Sequence, residues 1–151
     1  MARIKITLPE IFPFSCTIPV RITDINYGGH AGNDALLGMI HEARVQFLSR
    51  IGYTELSMEG VGLIMADVAI EFKNEAFMGE TLLVSVAAGD FQRVGFDLYY
   101  RVEKEMEGKK VPVVFAKTGM VCFDYTRRKM APIPAAALQK LMQMAPNNGQ
   151  Q

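Results

Sequence analysis

Residues 21–44 read RITDINYGGHAGNDALLGMIHEAR, and this stretch decides the fold. Its first half, as far as Gly32, has the asparagine and glycine content of a loop. Its second half begins a helix that Asn33 or Asp34 can cap and that should end near Arg50. The apolar side chains of this helix fall on one broad arc, which predicts that the helix is deeply embedded.

Segments with strand character flank this stretch. Before it, residues 14–22 alternate between apolar and polar, and Pro19 indicates an edge or a bulge because it cannot donate to a ladder. After it come four further strand-like runs, at residues 64–72, 82–88, 95–102 and 111–125. A short helix is predicted from Pro134. This order predicts an α+β fold, in which a five-stranded, mostly antiparallel sheet packs on the long helix.

The predicted sheet has more apolar surface than one helix can cover. The run at residues 111–125 is apolar on both faces, so we expect the uncovered face to meet another subunit in a homodimer or a tetramer. The length of 151 residues predicts a single domain over residues 1–151, with its core at about 14–144 and a disordered tail at 145–151. Arg44 falls inside the apolar arc and must find an anionic or carbonyl partner, or lie at an interface.

Composition and charge exclude several classes of protein. Apolar residues make up 50% of the chain, which excludes a disordered protein, and its formal net charge of zero argues against a nucleic-acid partner. Cys16 and Cys122 have no close-spaced partner, so we expect no metal site, no disulfide and no cofactor. The N-terminal residues lack the apolar core of a secretory signal, and no run approaches the ~20 apolar residues that span a membrane. The expected location is cytoplasmic.

One set of residues within this stretch carries a family resemblance: Arg21, Asp24, Asn26, Gly29, His30, Asn33, Glu42, Ala43 and Arg44. Their pattern resembles the signature of the 4-hydroxybenzoyl-CoA thioesterase-like acyl-CoA thioesterases. The spacing matches without a gap, and the similarity extends over residues 17–134. The resemblance implies a hot-dog fold, in which the sheet wraps the long helix. It also implies hydrolysis of an acyl-CoA or acyl-carrier-protein thioester to free acid and thiol.

The chain departs from the family pattern at Asn26. In that family the second aspartate of the motif is the nucleophile or general base, and a backbone N–H at the start of the long helix polarises the thioester carbonyl. By position that donor would be Asn33 or a neighbour. A neutral amide at Asn26 can orient water or substrate, but it cannot take a proton or attack. Either another carboxylate does this work, or the protein binds acyl thioesters without hydrolysing them efficiently.

The helix offers two substitute carboxylates. Glu42, on its polar stripe, is the first candidate, and the alternative is a solvated glutamate that pairs with Gln46 or Arg50. Asp34, at the start of the helix, is the second candidate, and the alternative is that it only offsets the helix dipole.

The remaining candidates would bind substrate or shape the loop. We expect Asp24 to pair with Arg21 or Arg44 and to shape the substrate loop together with Gly29. His30 is a catalytic candidate because histidine side chains can act as acids and bases, and the structural alternative is a hydrogen bond to the backbone of the turn.

His41 occupies a helical position that is often glutamate in the family, and it is a further candidate for binding substrate. Arg127 and Arg128 belong to a basic run that can hold nucleotide phosphates, and the alternative there is a solvated turn. A hydratase or dehydratase of the same fold is disfavoured, because the surroundings of His30 and His41 do not resemble the sites of those enzymes.

Overall fold

The structure is a computed structural model that describes residues 1–146. Its strands are β1 (Phe14–Pro19), β2 (Gly62–Phe72), β3 (Thr81–Gly89), β4 (Gly95–Met106), β5 (Lys109–Asp124) and β6 (Lys129–Met130). Its helices are α1 (Asn33–Arg50) and α2 (Ala135–Gln143), and a 3-10 turn spans Ile22–Asp24. Of the predicted tail, residues 147–151 lie outside the described residues, whereas the Ala145 N–H still donates to the Met142 carbonyl.

The strands form one antiparallel sheet in the order β1-β3-β4-β5-β2, and β6 pairs with β5. The predicted α+β class is confirmed, and β6 is a two-residue strand that the sequence did not indicate. Pro19 ends β1, an edge strand, where its missing N–H costs no ladder bond.

Helix α1 is embedded as its apolar arc predicts, with buried residues Leu36, Met39, Ile40, Ala43, Arg44, Phe47 and Leu48. Arg44 finds the expected partners, since its guanidinium donates to Glu55 Oε1 at 3.2 Å and to the Tyr100 hydroxyl at 3.4 Å. The prediction that Asn33 or Asp34 caps the helix is wrong. Gly32 is the N-cap residue and Asn33 is the first helical residue, and no side chain among residues 1–146 makes a capping hydrogen bond there.

The N-terminal segment, residues 1–13, lies against the sheet face that points away from α1. The Ile6 N–H donates to Glu71 Oε2 on β2 at 2.8 Å, and the Arg101 guanidinium on β4 lies 4.6 Å from the centre of the Phe12 ring. This hydrogen bond holds the pKa of the Glu71 carboxyl below its usual value. The chain itself therefore covers part of the face that we expected to be free for a second subunit.

Strand β2 forms the edge of the sheet opposite β1, and no other strand among residues 1–146 pairs with its outer side. Helix α1 packs mainly against β1 and β3, so it leaves apolar side chains of β2 in contact with solvent. Met65 is 41% exposed, Val68 39% and Phe72 54%. The Phe72 end of β2 lies beside the cleft that holds the candidate site.

Candidate active site

One side of the site is the loop between the 3-10 turn and α1, which we call the motif loop (residues 24–32). Asn26 anchors its tip, because the Asn26 N–H donates to the His30 carbonyl at 2.9 Å and the Gly29 N–H donates to the Asn26 carbonyl at 3.0 Å. Gly29 has a φ of +84°, which a residue with a side chain rarely adopts. At the base of the loop, the Gly32 N–H donates to the Asp24 carbonyl at 3.0 Å. The motif loop is thus closed by short-range backbone hydrogen bonds.

The Asn26 amide is oriented toward the start of α1. Its Oδ1 accepts the Gly28 N–H at 2.9 Å, so its Nδ2 remains available as a donor. A Cβ on Gly32 would lie 3.4 Å from Asn26 Nδ2 and 2.6 Å from Asp34 Oδ1. The absent side chain at Gly32 therefore lets the amide and the carboxylate converge on the first turn of the helix.

The first turn of α1 supplies backbone donors. The Leu36 N–H is bonded to the Gly32 carbonyl at 3.0 Å, whereas the N–H groups of residues 33–35 have no acceptor among residues 1–146. Unpaired N–H groups at the positive end of a helix dipole stabilise a negative charge that develops on a substrate oxygen. The expected donor, at Asn33 or a neighbour, thus lies at a free helix end.

The second side of the site is the β2–β3 loop (residues 73–80), which is held by residues distant in sequence. The Ala31 N–H of the motif loop donates to the Ala76 carbonyl at 2.8 Å. Lys104, only 5% exposed, donates to the Glu75 carbonyl at 2.6 Å and to Glu80 Oε1 at 3.1 Å. The first bond joins the two loops side by side, and the Lys104 bonds hold the β2–β3 loop to β4.

A cleft of about 430 Å³ opens along these two loops. Its lining consists of Asn26, Tyr27, His30, Ala31, Asn33, Leu36, Phe72, Lys73, Asn74 and Glu75. Three predicted site residues therefore lie together here, namely Asn26, His30 and Asn33. Asp34 and Gly29 lie close by, on the helix start and the loop tip.

His30 bridges the two loops. Its Nδ1 lies 3.1 Å from the Ala31 carbonyl oxygen, which can only accept a hydrogen bond, so this contact fits the tautomer with hydrogen on Nδ1. This is the backbone contact that we considered as the structural alternative for His30. Its Nε2 lies 3.9 Å from Glu75 Oε1. Sequence reasoning missed Glu75, because it lies outside the motif in a stretch with no catalytic signature.

Two of the predicted helical residues lie away from the cleft. Glu42 is exposed and accepts a hydrogen bond from Gln46 at 3.4 Å, the solvated arrangement that we considered as its alternative. Burial, and then the charge of Glu42, raise the pKa of the Cys16 thiol on β1. Glu42 is not among the residues that line the cleft. His41 Nε2 lies 3.0 Å from Glu55 Oε1, on the outside of the helix.

The remaining predicted residues lie at the ends of the sheet. Asp24 Oδ2 accepts the Arg21 N–H at 2.8 Å, the expected pairing within the loop. Arg127 and Arg128 lie in the turn between β5 and β6, where the Arg127 N–H donates to Asp124 Oδ1 at 3.0 Å. This turn adjoins the beginning of β2, whereas the cleft adjoins its end.

Neither a metal site nor a membrane-spanning helix is found in the described part of the chain. Across residues 1–146, no group of three or more His, Cys, Asp or Glu side chains could hold a metal ion. Within the same range, no helix is both long and apolar enough to cross a bilayer.

Comparison with known proteins assigns the family. The model of the thioesterase-like superfamily matches residues 20–141 of the 151. The chain belongs to the thioesterase-like superfamily. No curated protein sequence matches it.

Several solved structures share the fold. A 1,4-dihydroxy-2-naphthoyl-CoA thioesterase from Synechocystis is 23% identical with a TM-score of 0.76, over 87% of this chain and 96% of that one. A thioesterase-superfamily protein from Jannaschia sp. CCS1 is 18% identical with a TM-score of 0.79, over 90% and 85%. A 4-hydroxybenzoyl-CoA thioesterase variant in complex with 4-hydroxybenzoyl-CoA is 15% identical with a TM-score of 0.77, over 85% and 97%. The predicted hot-dog fold is confirmed.

Proposed function

We propose that the protein hydrolyses an acyl-CoA or acyl-carrier-protein thioester to the free acid and the thiol. The observation that carries the proposal is the convergence of free helix N–H groups, the Asn26 amide and the His30 ring on one cleft of a thioesterase-superfamily chain. Two of the structural relatives are CoA thioesterases, which supports a CoA ester as the substrate.

In this proposal the thioester carbonyl lies at the start of α1. Its oxygen points at the free N–H groups of Asn33 and Asp34, which stabilise the oxyanion of the tetrahedral intermediate. Asn26 Nδ2 is a further donor on the same side, and it orients the carbonyl or the attacking water. The exposed Phe72 ring offers an apolar surface to the acyl group.

The proposal includes a homodimer in which β2 pairs with β2 of a second copy. Support comes from the open edge of β2 and the partly exposed side chains of Met65, Val68 and Phe72. Two identical strands related by a two-fold axis run antiparallel, so the beginning of one β2 meets the end of the other. Arg127 and Arg128 of the second copy would then approach the cleft and bind the phosphates of CoA.

The experiment is hydrolysis of a panel of acyl-CoA esters, with released thiol as the readout and binding of each ester measured in parallel. We expect turnover on at least one acyl chain, with kcat on the order of 1 s⁻¹ or more. Esters that bind but are never hydrolysed would contradict the proposal.

That outcome would favour the second candidate function, a protein that binds acyl thioesters without hydrolysing them. The observation behind this alternative is Asn26 itself, because its amide stands where the family resemblance implies a working carboxylate and cannot accept a proton. Under this alternative the start of α1 would hold the carbonyl without activating water.

A further inference from the structure

Hydrolysis at this site requires a group that takes a proton from the attacking water, and the Asn26 amide cannot do so. We propose that Glu75, on the β2–β3 loop, is the general base of the reaction. This inference rests on the proposed function and names the residue that performs its proton transfer.

Glu75 is the one carboxylate in the cleft lining among the described residues. Its side chain is 62% exposed, so solvent water reaches it without a rearrangement of the protein. The neighbouring cation of the loop, Lys73, is paired with Glu71 Oε1 at 3.2 Å, which leaves the Glu75 carboxylate free of an ammonium partner among residues 1–146. The Glu42 carboxylate, in contrast, is not among the residues that line the cleft.

The backbone of Glu75 is fixed from two sides. Its own carbonyl accepts a hydrogen bond from the buried Lys104 ammonium. The carbonyl of the next residue, Ala76, accepts a hydrogen bond from the Ala31 N–H. One residue earlier, Asn74 Nδ2 donates to the Pro112 carbonyl at 2.7 Å. A base held on an anchored backbone keeps its position relative to the helix start, which proton transfer requires.

The side chain of His30 completes the arrangement. In the tautomer with hydrogen on Nδ1, His30 Nε2 and Glu75 Oε1 are both acceptors, and the 3.9 Å between them is a separation that one water molecule can bridge by donating to each. A water held in this way lies on the β2–β3 side of the cleft, and the oxyanion donors of α1 lie on the other side. The thioester carbon would sit between them.

The reaction balances without a further reactant. The water oxygen bonds to the carbonyl carbon while Glu75 takes its proton, and the electron pair of the C=O bond moves to the oxygen that faces the Asn33 and Asp34 N–H groups. When the intermediate collapses, the C–S bond breaks and the sulfur leaves with its electron pair. The proton on Glu75 then passes to the thiolate, which yields the free acid and the thiol.

The test compares the wild-type protein with Glu75→Gln and with a matched control, Glu105→Gln, which changes an exposed glutamate on β4 outside the cleft. Both variants are expected to fold, and thermal unfolding checks this. On the best substrate of the acyl-CoA panel, we expect Glu75→Gln to lower kcat about 10²–10³-fold with KM changed by no more than about threefold. Glu105→Gln should match the wild type.

The outcomes separate this inference from the proposed function. If the wild type turns over and Glu75→Gln stays within about threefold of it, Glu75 is not the base, while the thioesterase proposal stands. A parallel Asp34→Asn variant covers the nearest competing carboxylate, and a larger loss there than in Glu75→Gln would also overturn the inference. If the wild type turns over no ester, both proposals fail.

Discussion

The motif loop and the β2–β3 loop line the same cleft, yet they are held in different ways. Hydrogen bonds between residues within a few positions of each other close the motif loop, as between Asn26 and His30. The β2–β3 loop depends on Lys104 from β4 and on Pro112 from β5, both far away in sequence. A loop closed by local hydrogen bonds needs asparagines and glycines close together, and these can be recognised in the sequence. A loop held by distant residues has no such local pattern. The difference explains why one side of the site was visible in the sequence and the other was not.

Among the variants that test this comparison, the largest effect is expected when the anchor of the β2–β3 loop is removed. Lys104→Met deletes the bonds to the Glu75 carbonyl and to Glu80, whose half-buried carboxylate then loses its cation. We expect a loss of about 2 kcal/mol in the free energy of unfolding, measured by urea denaturation, and a loss of activity of roughly 30-fold in the folded variant. Lys110→Met, at an exposed position of β5, is the control and should change stability by less than about 0.5 kcal/mol.

A wild-type rate in folded Lys104→Met would break the comparison, because the position of Glu75 would then not depend on its long-range anchor.

The next effect concerns the motif loop. In Gly32→Ala, the new methyl group would lie 2.6 Å from Asp34 Oδ1 and 3.4 Å from Asn26 Nδ2, so one or both side chains must move. We expect kcat/KM to fall about tenfold, with a loss of about 1 kcal/mol in stability because alanine is a poor N-cap residue. Gly38→Ala, in the same helix with no atom nearby, should instead stabilise the protein by about 0.5–1 kcal/mol. Equal activities for both variants would show that the close approach at Gly32 is irrelevant to catalysis.

A third effect tests whether a second copy completes the site. We expect the double variant Arg127→Gln, Arg128→Gln to raise KM for CoA esters about tenfold and to leave kcat unchanged, because the two guanidinium groups would bind phosphates remote from the thioester. The KM for N-acetylcysteamine thioesters, which lack the nucleotide, should not change. An equal rise in KM for both substrates would contradict the phosphate-binding role of the two arginines. Light scattering measures the oligomeric state separately, and a monomeric wild type would contradict the dimer.

The smallest effect should come from restoring the family carboxylate. If Glu75 already supplies a base, Asn26→Asp adds a second one to a site that works, and we expect the rate to change by less than about fivefold. A gain of 100-fold or more would show that the wild-type cleft lacks a base. It would move the catalytic role from the β2–β3 loop back to the motif loop.

These contrasts also show how far the sequence could lead. The length of α1, the edge position of Pro19 and the need of Arg44 for a polar partner follow from local pattern and burial, and each was predicted correctly. The capping residue was missed because Gly32 has no side chain to signal its role.

The placement of Glu42 shows the limit for the site. Its position on a polar helical stripe cannot reveal which edge of the sheet the stripe lies beside, and in the structure Glu42 is exposed and does not line the cleft. Glu75 could not be found from sequence, because its position depends on how Lys104 and Ala31 bring two loops together.

The central claim is that one thioester carbonyl binds between the start of α1 and the β2–β3 loop. The most direct test is a crystal structure with a ketone analogue of the best acyl-CoA substrate, in which a methylene group replaces the thioester sulfur. We predict its carbonyl oxygen at about 3 Å from the N–H of Asn33 or Asp34, with Glu75 and a bound water on the opposite side of the carbonyl carbon. A carbonyl bound away from the helix start, or a Glu75 carboxylate turned away from it, would contradict the account.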